Sequence, residues 1–382
     1  MPISKKKAAE KKAAEKKKTA EEKRAGRATV VKTDASSYLK DLIALRGKDE
    51  PPGFSMLDQA LYGIVTDRIS TGSLALDKML GGGWPEGRIT EVAGWEGVGK
   101  SSLLDQAAAQ CQAMGGIVAL IDSERARDLK YSTALGVNVS ECILGDVDDI
   151  EGGFELIDKV LTVQEAKRIE LEKVKRRVPP MLVMWDSIGG TPARVELLGA
   201  PDDSHVTPAA RAISHNFRRI VVSLNRNRVT LVFANHFYTK IGGFGGLSTY
   251  GGKGVRYYPS VRLWLSRTGH LTVGDQVIGH TVKAKLRKTR VGPPQPDQEL
   301  GFVHTGGFSN THTLFEWGVA GGESSPKERW IETRGTHRYL RPPGKDPIHF
   351  QRGLLGLSEI LTSEPDIYAA MVASYRDEEK AA

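Results

Sequence analysis

The sequence predicts an α/β fold: a central sheet, mostly parallel, with helices on both of its faces. Three observations point there. From Ile69 onward, short apolar runs alternate with helical stretches. A glycine-rich stretch, Gly94-Trp95-Glu96-Gly97-Val98-Gly99-Lys100-Ser101, stands between a strand pattern and a helix pattern. After about Thr305 the alternation weakens into a smaller mixed unit.

In chain order, residues 1–28 are an Ala/Lys/Glu run carrying 11 Lys or Arg and 4 Glu. Such a run reads as a solvated tail or, alternatively, as a basic arm for DNA. Residues 29–68 form an N-terminal segment. Its Ala35–Gly63 stretch has helical periodicity (Tyr38, Leu39, Leu42, Ile43, Leu45) and a break at Pro51-Pro52-Gly53. That stretch is too small to fold alone and must pack on something else. The core is expected over residues 69–304. Its strands are Ile89–Ala93, Gly116–Ile121, Met181–Trp185, Val229–Ala234, Val261–Leu265 and His280–Lys285. Leu103–Gln110 reads as the helix after the glycine-rich turn, and Gln164–Arg177 as a charged surface helix. Residues 305–382 make the small α+β unit, with Trp330-Ile331-Glu332, Tyr339-Leu340 and a terminal helical stretch from Phe350 to Tyr375. No internal repeat is present.

Composition narrows the function classes. The chain of 382 residues has a 40% apolar fraction, enough for a sizeable core. Its net charge is +8, of which the first 28 residues supply +7, so the remainder is nearly neutral. Any nucleic-acid surface there is a local groove rather than a global field. The two cysteines, Cys111 and Cys142, lack metal-ligand spacing and imply a reducing compartment, the cytoplasm. No run approaches a membrane span, so no membrane partner is expected.

The stretch from Gly94 to Ser101 matches G-x-x-x-x-G-K-[ST]. A glycine-rich turn between strand and helix points backbone N–H groups into one concavity, and the helix N-terminus adds positive potential. Lys100 would reach the outer phosphates of a nucleoside triphosphate, and the Ser101 hydroxyl would ligate Mg2+. Two carboxylates stand at the carboxyl ends of strands, where ligands of open parallel sheets bind. Asp186, ending Met181–Trp185, is placed to hold magnesium through water or to cap the next helix. Glu124, just past Ile121-Asp122, can face the γ-phosphate and activate water, or form a surface salt bridge with Arg125 or Arg127.

Further motifs follow in order. They are Ile69-Ser70-Thr71-Gly72-Ser73-Leu74-Ala75-Leu76-Asp77, Leu80-Gly81-Gly82-Gly83, Ile121-Asp122-Ser123-Glu124, Trp185-Asp186-Ser187, Asp203-Ser204-His205, Ala209-Ala210-Arg211 and Ser260-Val261-Arg262-Leu263. This ordered set, over roughly residues 40 to 305, closely resembles the RecA family of homologous recombinases. With Asn235-His236, the chain looks more like the phage-encoded members than the bacterial enzyme. The resemblance implies a RecA-like phosphate-loop ATPase core that uses ATP and Mg2+.

Carried over by position, Glu124 resembles the catalytic glutamate and Asp186 the second-motif aspartate. Asp128 and Tyr131 match the adenine-contacting pair, with Gly94 through Ser101 and Ser102 around the phosphates. Lys288 and Arg290 resemble the basic pair that reaches the γ-phosphate across a subunit interface. Without the resemblance, Lys283–Arg290 reads only as a basic strand. The sequence departs from the pattern at three places. His236 replaces the glutamine that links γ-phosphate to the DNA loop, and its protonation is expected to make that coupling pH-dependent. Arg290 replaces a lysine and keeps the charge. Trp95 replaces a proline in the phosphate loop, which puts the local stiffness in question.

Residues 237–254 hold seven glycines between Gly242 and Gly254, interspersed with aromatic residues and cations. A loop of this length is functional or disordered, either a DNA-binding loop or a lid over the nucleotide. The resemblance makes it the second DNA loop, with Lys240, Ile241, Phe244, Gly251, Gly252 and Lys253 as contacts. The first loop spans Glu196–His205, followed by Arg211, Ser214 and Arg218 on a helix. The expected function is an ATP-dependent recombinase that forms a helical filament on single-stranded DNA and exchanges strands with homologous duplex. Single-strand-binding and loader proteins are further expected partners. A ring-forming DNA motor and an ATP-switched, non-hydrolysing assembly protein are the alternatives.

Overall fold

The computed structural model describes residues 35–44, 67–198, 206–239, 246–273, 275–320, 330–335 and 337–381. The basic tail and most of Ala35–Gly63 lie outside them. The chain divides into two units, residues 1–61 and 62–382. In the first, one helix, α1 (Ala35–Ala44), is described, with Leu42 and Ile43 exposed.

The second unit opens with β1 (Arg68–Ile69), α2 (Leu74–Leu80) and β2 (Trp84–Pro85), the two strands pairing antiparallel. Thr71 donates to Asp77 from both its N–H and its hydroxyl, each at 2.7 Å. The signature around Ser70–Asp77 is therefore a structural one, a buried carboxylate that folds the turn before α2. The core follows as β3 (Ile89–Gly94), α3 (Lys100–Ala113), β4 (Ile117–Asp122), α4 (Leu129–Ala134), β5 (Cys142–Gly145) and α5 (Ile150–Lys173). It continues through β6 (Met181–Asp186), α6 (Arg194–Leu198), α7 (Val206–Asn227), β7 (Val229–Thr239), β8 (Leu247–Thr249) and α8 (Gly252–Tyr257). Then come β9 (Val261–Val273), β10 (Gln276–Thr289), β11 (Gln298–Val303) and β12 (Gly307–Phe308).

These strands form one sheet in the order β12-β11-β10-β9-β3-β7-β6-β4-β5, with β8 added to β7. Its centre, from β9 to β5, is parallel. Strands β10, β11 and β12 extend it antiparallel, and the sheet runs on to Phe308, past the expected core boundary. β3 and β6 are buried along their whole length; β6 therefore reads as a near-continuous apolar run, while β3 also buries Thr90 and Glu91. One core packs α3 against the sheet and the other packs α5 and α7 on the opposite face.

The expected charged helix from Gln164 is the second half of the longer α5, which ends at Lys173. Asp149 caps its start by accepting from Gly152 N–H at 2.6 Å. A Cβ at Gly153 would lie 2.3 Å from the Trp185 ring. Glycine in a helix costs about 1 kcal/mol. Full burial of an aromatic side chain in the space it leaves is worth about 3 kcal/mol, so the trade favours the close approach. Trp185 precedes Asp186, so this packing fixes where the carboxylate stands.

The last part of the chain contains α9 (Asn310–Ala320), the antiparallel sheet β13 (Ile331–Arg334), β14 (His337–Leu340), β15 (Ile348–Phe350), and helices α10 (Leu354–Ser363) and α11 (Pro365–Ala381). Its core, including Trp330, Leu357 and Met371, also takes in Leu74 of α2.

Candidate nucleotide site and DNA loops

The carboxyl ends of β3, β4, β6 and β7 converge on a cleft of about 290 Å³, lined by Ser101, Ser102, Glu124, Asp128, Tyr131 and Asp186 among others. An adjoining pocket is lined by Glu96, Gly97, Gly99, Lys100 and His236. Gly97 has a φ of +68° and Gly99 one of +100°, a left-handed geometry that turns the chain from β3 into α3. Lys100 opens that helix nearly buried, and its ammonium donates to the carbonyls of Gly94 and Trp95, both at 3.0 Å. Burial holds its pKa below the usual lysine range, against the pull of Asp186, Glu124 and Glu96.

Asp186 is 7% exposed. Burial pushes its carboxyl up, opposed by the Arg127 guanidinium and by the Ser101 hydroxyl, with Glu124 and Asp122 adding repulsion. Arg127 donates to Asp186 at 3.0 Å and also pairs with Asp105, which accepts from Ser132 at 2.8 Å. Ser101 and Asp186 thus face each other as hard oxygen donors. Among the described residues no group of three or more His, Cys, Asp or Glu is placed to hold a metal. One hydroxyl and one carboxylate beside a phosphate cradle fit magnesium, which is typically held by one or two protein oxygens, waters and substrate phosphates.

Glu124 makes neither of the salt bridges open to it from sequence. Arg125 pairs with Asp146 and Asp148, both at 2.8 Å, and Arg127 with Asp105 and Asp186. One oxygen of Glu124 instead accepts from Ser187 at 2.6 Å and lies 3.2 Å from Nε2 of His236. Ser187 and His236 are themselves 2.9 Å apart. Burial pushes the Glu124 carboxyl up, but the Ser187 and His236 hydrogen bonds and the charges of His236 and Lys100 outweigh it, and its pKa falls below the usual range. The carboxylate is therefore ionised near neutrality, able to orient a water and accept its proton.

Asp128 caps α4, accepting from the N–H groups of Lys130 at 2.8 Å and Tyr131 at 3.3 Å. The cap sets Tyr131 in the cleft, its hydroxyl 3.3 Å from that of Ser102. Lys288 and Arg290 are not part of either lining. The Lys288 ammonium donates to the last carbonyls of α8, Arg256 at 2.9 Å and Tyr257 at 2.7 Å. Burial and the neighbouring Arg290 and Arg262 lower its pKa to about 8.

β7 carries His236 to the edge of the cleft and continues towards the glycine-rich loop. Lys240, Ile241 and Phe244 lie outside the described residues, but both roots of the loop are visible, with β8 returning against β7. Beneath it, buried Asn235 donates to Glu91 and to the carbonyl of Tyr250, each at 2.9 Å. Glu91 also pairs with Arg262, which donates to Thr249 at 3.0 Å. Gly251 is buried and Lys253 exposed. Of the first loop, Glu196 ties back to Ala193 N–H at 2.7 Å. On α7, Arg211 is exposed and Ser214 half-buried, while Arg218 donates to the Tyr258 hydroxyl at 3.1 Å. α7, which follows the first loop, packs on α8, which follows the second.

Sequence reasoning missed the roles of Ser187, Arg127 and Asp105. The only sequence signal for Asp105 was a carboxylate on the apolar side of α3. None of the three has a spacing that announces its partner.

Comparison with known proteins shows the family. Residues 56–309 match the family model described as RecA N-terminal domain. The protein named Protein RecA of Thioalkalivibrio sulfidiphilus is 34% identical over 272 residues, 70% of this chain and 75% of that one. The one of Helicobacter hepaticus is 37% identical over 257 residues, covering 66% and 70%. That of Allochromatium vinosum is 32% identical over 314 residues, covering 81% and 83%. The phosphate loop, the two strand-end carboxylates and the paired loops thus sit within a matched span of most of the chain, which belongs to the RecA family and is an ATP-dependent DNA recombinase with DNA-dependent ATPase activity.

Proposed function

We propose that ATP binds between neighbouring subunits of a filament on single-stranded DNA, and that its γ-phosphate sets the grip on that DNA. The observation that carries this reading is the Glu124 carboxylate, shared by Ser187 and His236 at the root of the glycine-rich loop. Lys100 and the amides from Trp95 to Ser102 bind the outer phosphates, Tyr131 stacks on the adenine and Asp128 accepts from its amino group. Ser101, and Asp186 through water, hold magnesium, which when bound neutralises charge on the phosphate oxygens. Glu124 positions the attacking water and takes its proton, while Ser187 keeps the carboxylate ionised and aimed. His236 donates to the γ-phosphate when ATP is present and to Glu124 when it is not. Movement between these two partners shifts β7 and orders the loop.

Lys288 and Arg290 of the next subunit stabilise charge on the transferring group. Neither lines its own chain's cleft, and Lys288 is tied to the end of α8, which favours action in trans. DNA is held by Lys240, Ile241, Phe244, Gly251, Gly252 and Lys253 of one loop and by Arg211, Ser214 and Arg218 beside the other. The segment 29–68 joins subunits; the exposed apolar residues of α1 and of the edge strand β5, Ile143 and Leu144, support this. Residues 69–304 act as the ATPase core and 305–382 as a small C-terminal domain packed against it through Leu74. Single-strand-binding and loader proteins, and a cytoplasmic location, complete the proposal. Among the described residues no helix is long and apolar enough to cross a membrane. The test is a strand-exchange assay with and without ATP, paired with electron microscopy on single-stranded DNA. ATP-dependent exchange on helical filaments is expected, and closed rings alone would remove the filament reading.

A further inference from the structure

Strands β3 and β7 are parallel neighbours, and their register ends at Gly94 opposite His236. Trp95, the next residue after β3, therefore stands beside Phe237, which β7 carries on into its pairing with Thr249 of β8. Side chains alternate along a strand, so Phe237 points to the face opposite His236. On the other flank of β3, Ala93 is in register with Trp264 of β9 and with Asn235 of β7. Trp264 thus shares the Phe237 face.

Three rings meet over the end of β3. Trp95 and Phe237 are edge to face with centroids 5.7 Å apart, and Phe237 and Trp264 likewise at 4.8 Å. The Arg287 guanidinium stacks 4.5 Å from the Trp264 ring and belongs to β10, next to Lys288. Phe237 is 7% exposed, whereas Trp95 is 49% exposed on the phosphate loop. The ladder joins the phosphate loop, the strand that leads into the glycine-rich loop and the strand that bears the trans-acting cations.

We infer that Trp95, Phe237 and Trp264 are positioning residues for the DNA-coupled reaction. A shift of the phosphate loop on nucleotide binding reaches β7 through ring contacts on one face, while His236 reports the γ-phosphate on the other. Trp95 stands where the family has proline, and a proline ring there would leave Phe237 without this edge contact. The inference rests on the reading of residues 237–254 as a DNA loop.

The test uses the full chain at saturating nucleotide. A fluorescein-labelled single-stranded oligonucleotide is titrated with ATPγS present and again with ADP present, and the ratio of the two dissociation constants measures the coupling. Trp95→Ala lowers that ratio about three- to tenfold, the worth of one aromatic pair, and Trp95→Phe restores it to within about twofold. Phe237→Leu lowers it similarly, and the double variant Trp95→Ala/Phe237→Leu lowers it no further than either alone. An unchanged ratio in Trp95→Ala, or losses that multiply in the double variant, overturns the inference. A ratio of one in the native protein removes the DNA-loop reading and the inference with it, which distinguishes the two failures.

Discussion

The phosphate loop and the glycine-rich loop both continue parallel neighbours of one sheet, and both are dense in glycine, yet Gly97 of the first and Gly254 of the second do opposite things. At Gly97 a Cβ would meet nothing within 4 Å; the position is glycine for its φ of +68° and for the open concavity beside it. In the described part of the second loop, a Cβ on Gly251 would come within 2.4 Å of Val255, and one on Gly254 within 2.7 Å of the Ser214 backbone. Those glycines let α8 lie flat on α7. Gly97 therefore marks the ligand cradle and Gly254 a close helix contact, while Gly94 and Gly99 beside the cradle are packed, their Cβ positions 2.7 Å from Val98 and 2.8 Å from Phe302. The cradle is built around Lys100, while the roots of the glycine-rich loop rest on a buried polar network of Asn235, Glu91 and Arg262.

This contrast can be broken at its strongest point first. Glu124→Gln keeps the shape of the carboxylate but not its charge, so kcat for DNA-stimulated ATP hydrolysis falls about 10²- to 10⁴-fold. ATP-promoted DNA binding survives, since the phosphate loop is untouched; phosphate release and oligonucleotide anisotropy separate the two. Lys100→Ala removes a nearly buried cation from a pocket that also holds Asp186, Glu124 and Glu96. Nucleotide affinity drops about 100-fold or more, the cost of a charged hydrogen-bond donor with no replacement. Calorimetric titration with ATPγS measures it, and DNA binding then loses its response to nucleotide.

The glycines supply a smaller and sharper contrast. Gly254→Ala forces a methyl against the α7 backbone and destabilises by about 1–3 kcal/mol, seen as a lower midpoint in urea. Gly97→Ala meets no atom and costs about 1 kcal/mol for its left-handed backbone. Its larger effect falls on nucleotide affinity. Equal midpoints for the two variants would mean that the cradle and packing roles are wrongly divided.

The same division explains what was legible in the sequence. A continuous apolar run ending in acid, Met181 to Asp186, is readable because a strand buried on both faces admits little else. β5 escaped notice since it is a short edge strand with Ile143 and Leu144 exposed. The start of α5 was hidden by Gly152-Gly153, and the reason for Gly153 lies across the core in Trp185. Glu124 was found by its place after a strand, but Ser187 needed the folded geometry in which it and His236 share one carboxylate oxygen. The Asp105–Arg127–Asp186 chain joins a helix, a loop and a strand end, a juxtaposition no local pattern encodes. Lys288 was matched by resemblance alone, and only the structure gives its ammonium two carbonyl partners at the end of α8.

That last contact yields the smallest effect, and it falls where the two regions meet. Lys288 titrates at about 8 because burial and the charges of Arg290 and Arg262 disfavour its ammonium, with Glu91 acting the other way. The cation is present below that value and lost above it. If a charged Lys288 contacts the phosphates of a neighbouring subunit, KM for ATP in the DNA-stimulated reaction rises severalfold as pH climbs from about 7 to 9. The rise is bounded because bound phosphate favours the charged form and pulls the pKa back up. Arginine stays charged throughout, so Lys288→Arg flattens the profile. Lys100 has its own lowered pKa, so the native slope alone does not identify the group, whereas the difference between native and Lys288→Arg does. Parallel profiles for the two would place Lys288 outside the phosphate contact and leave it as the cap of α8.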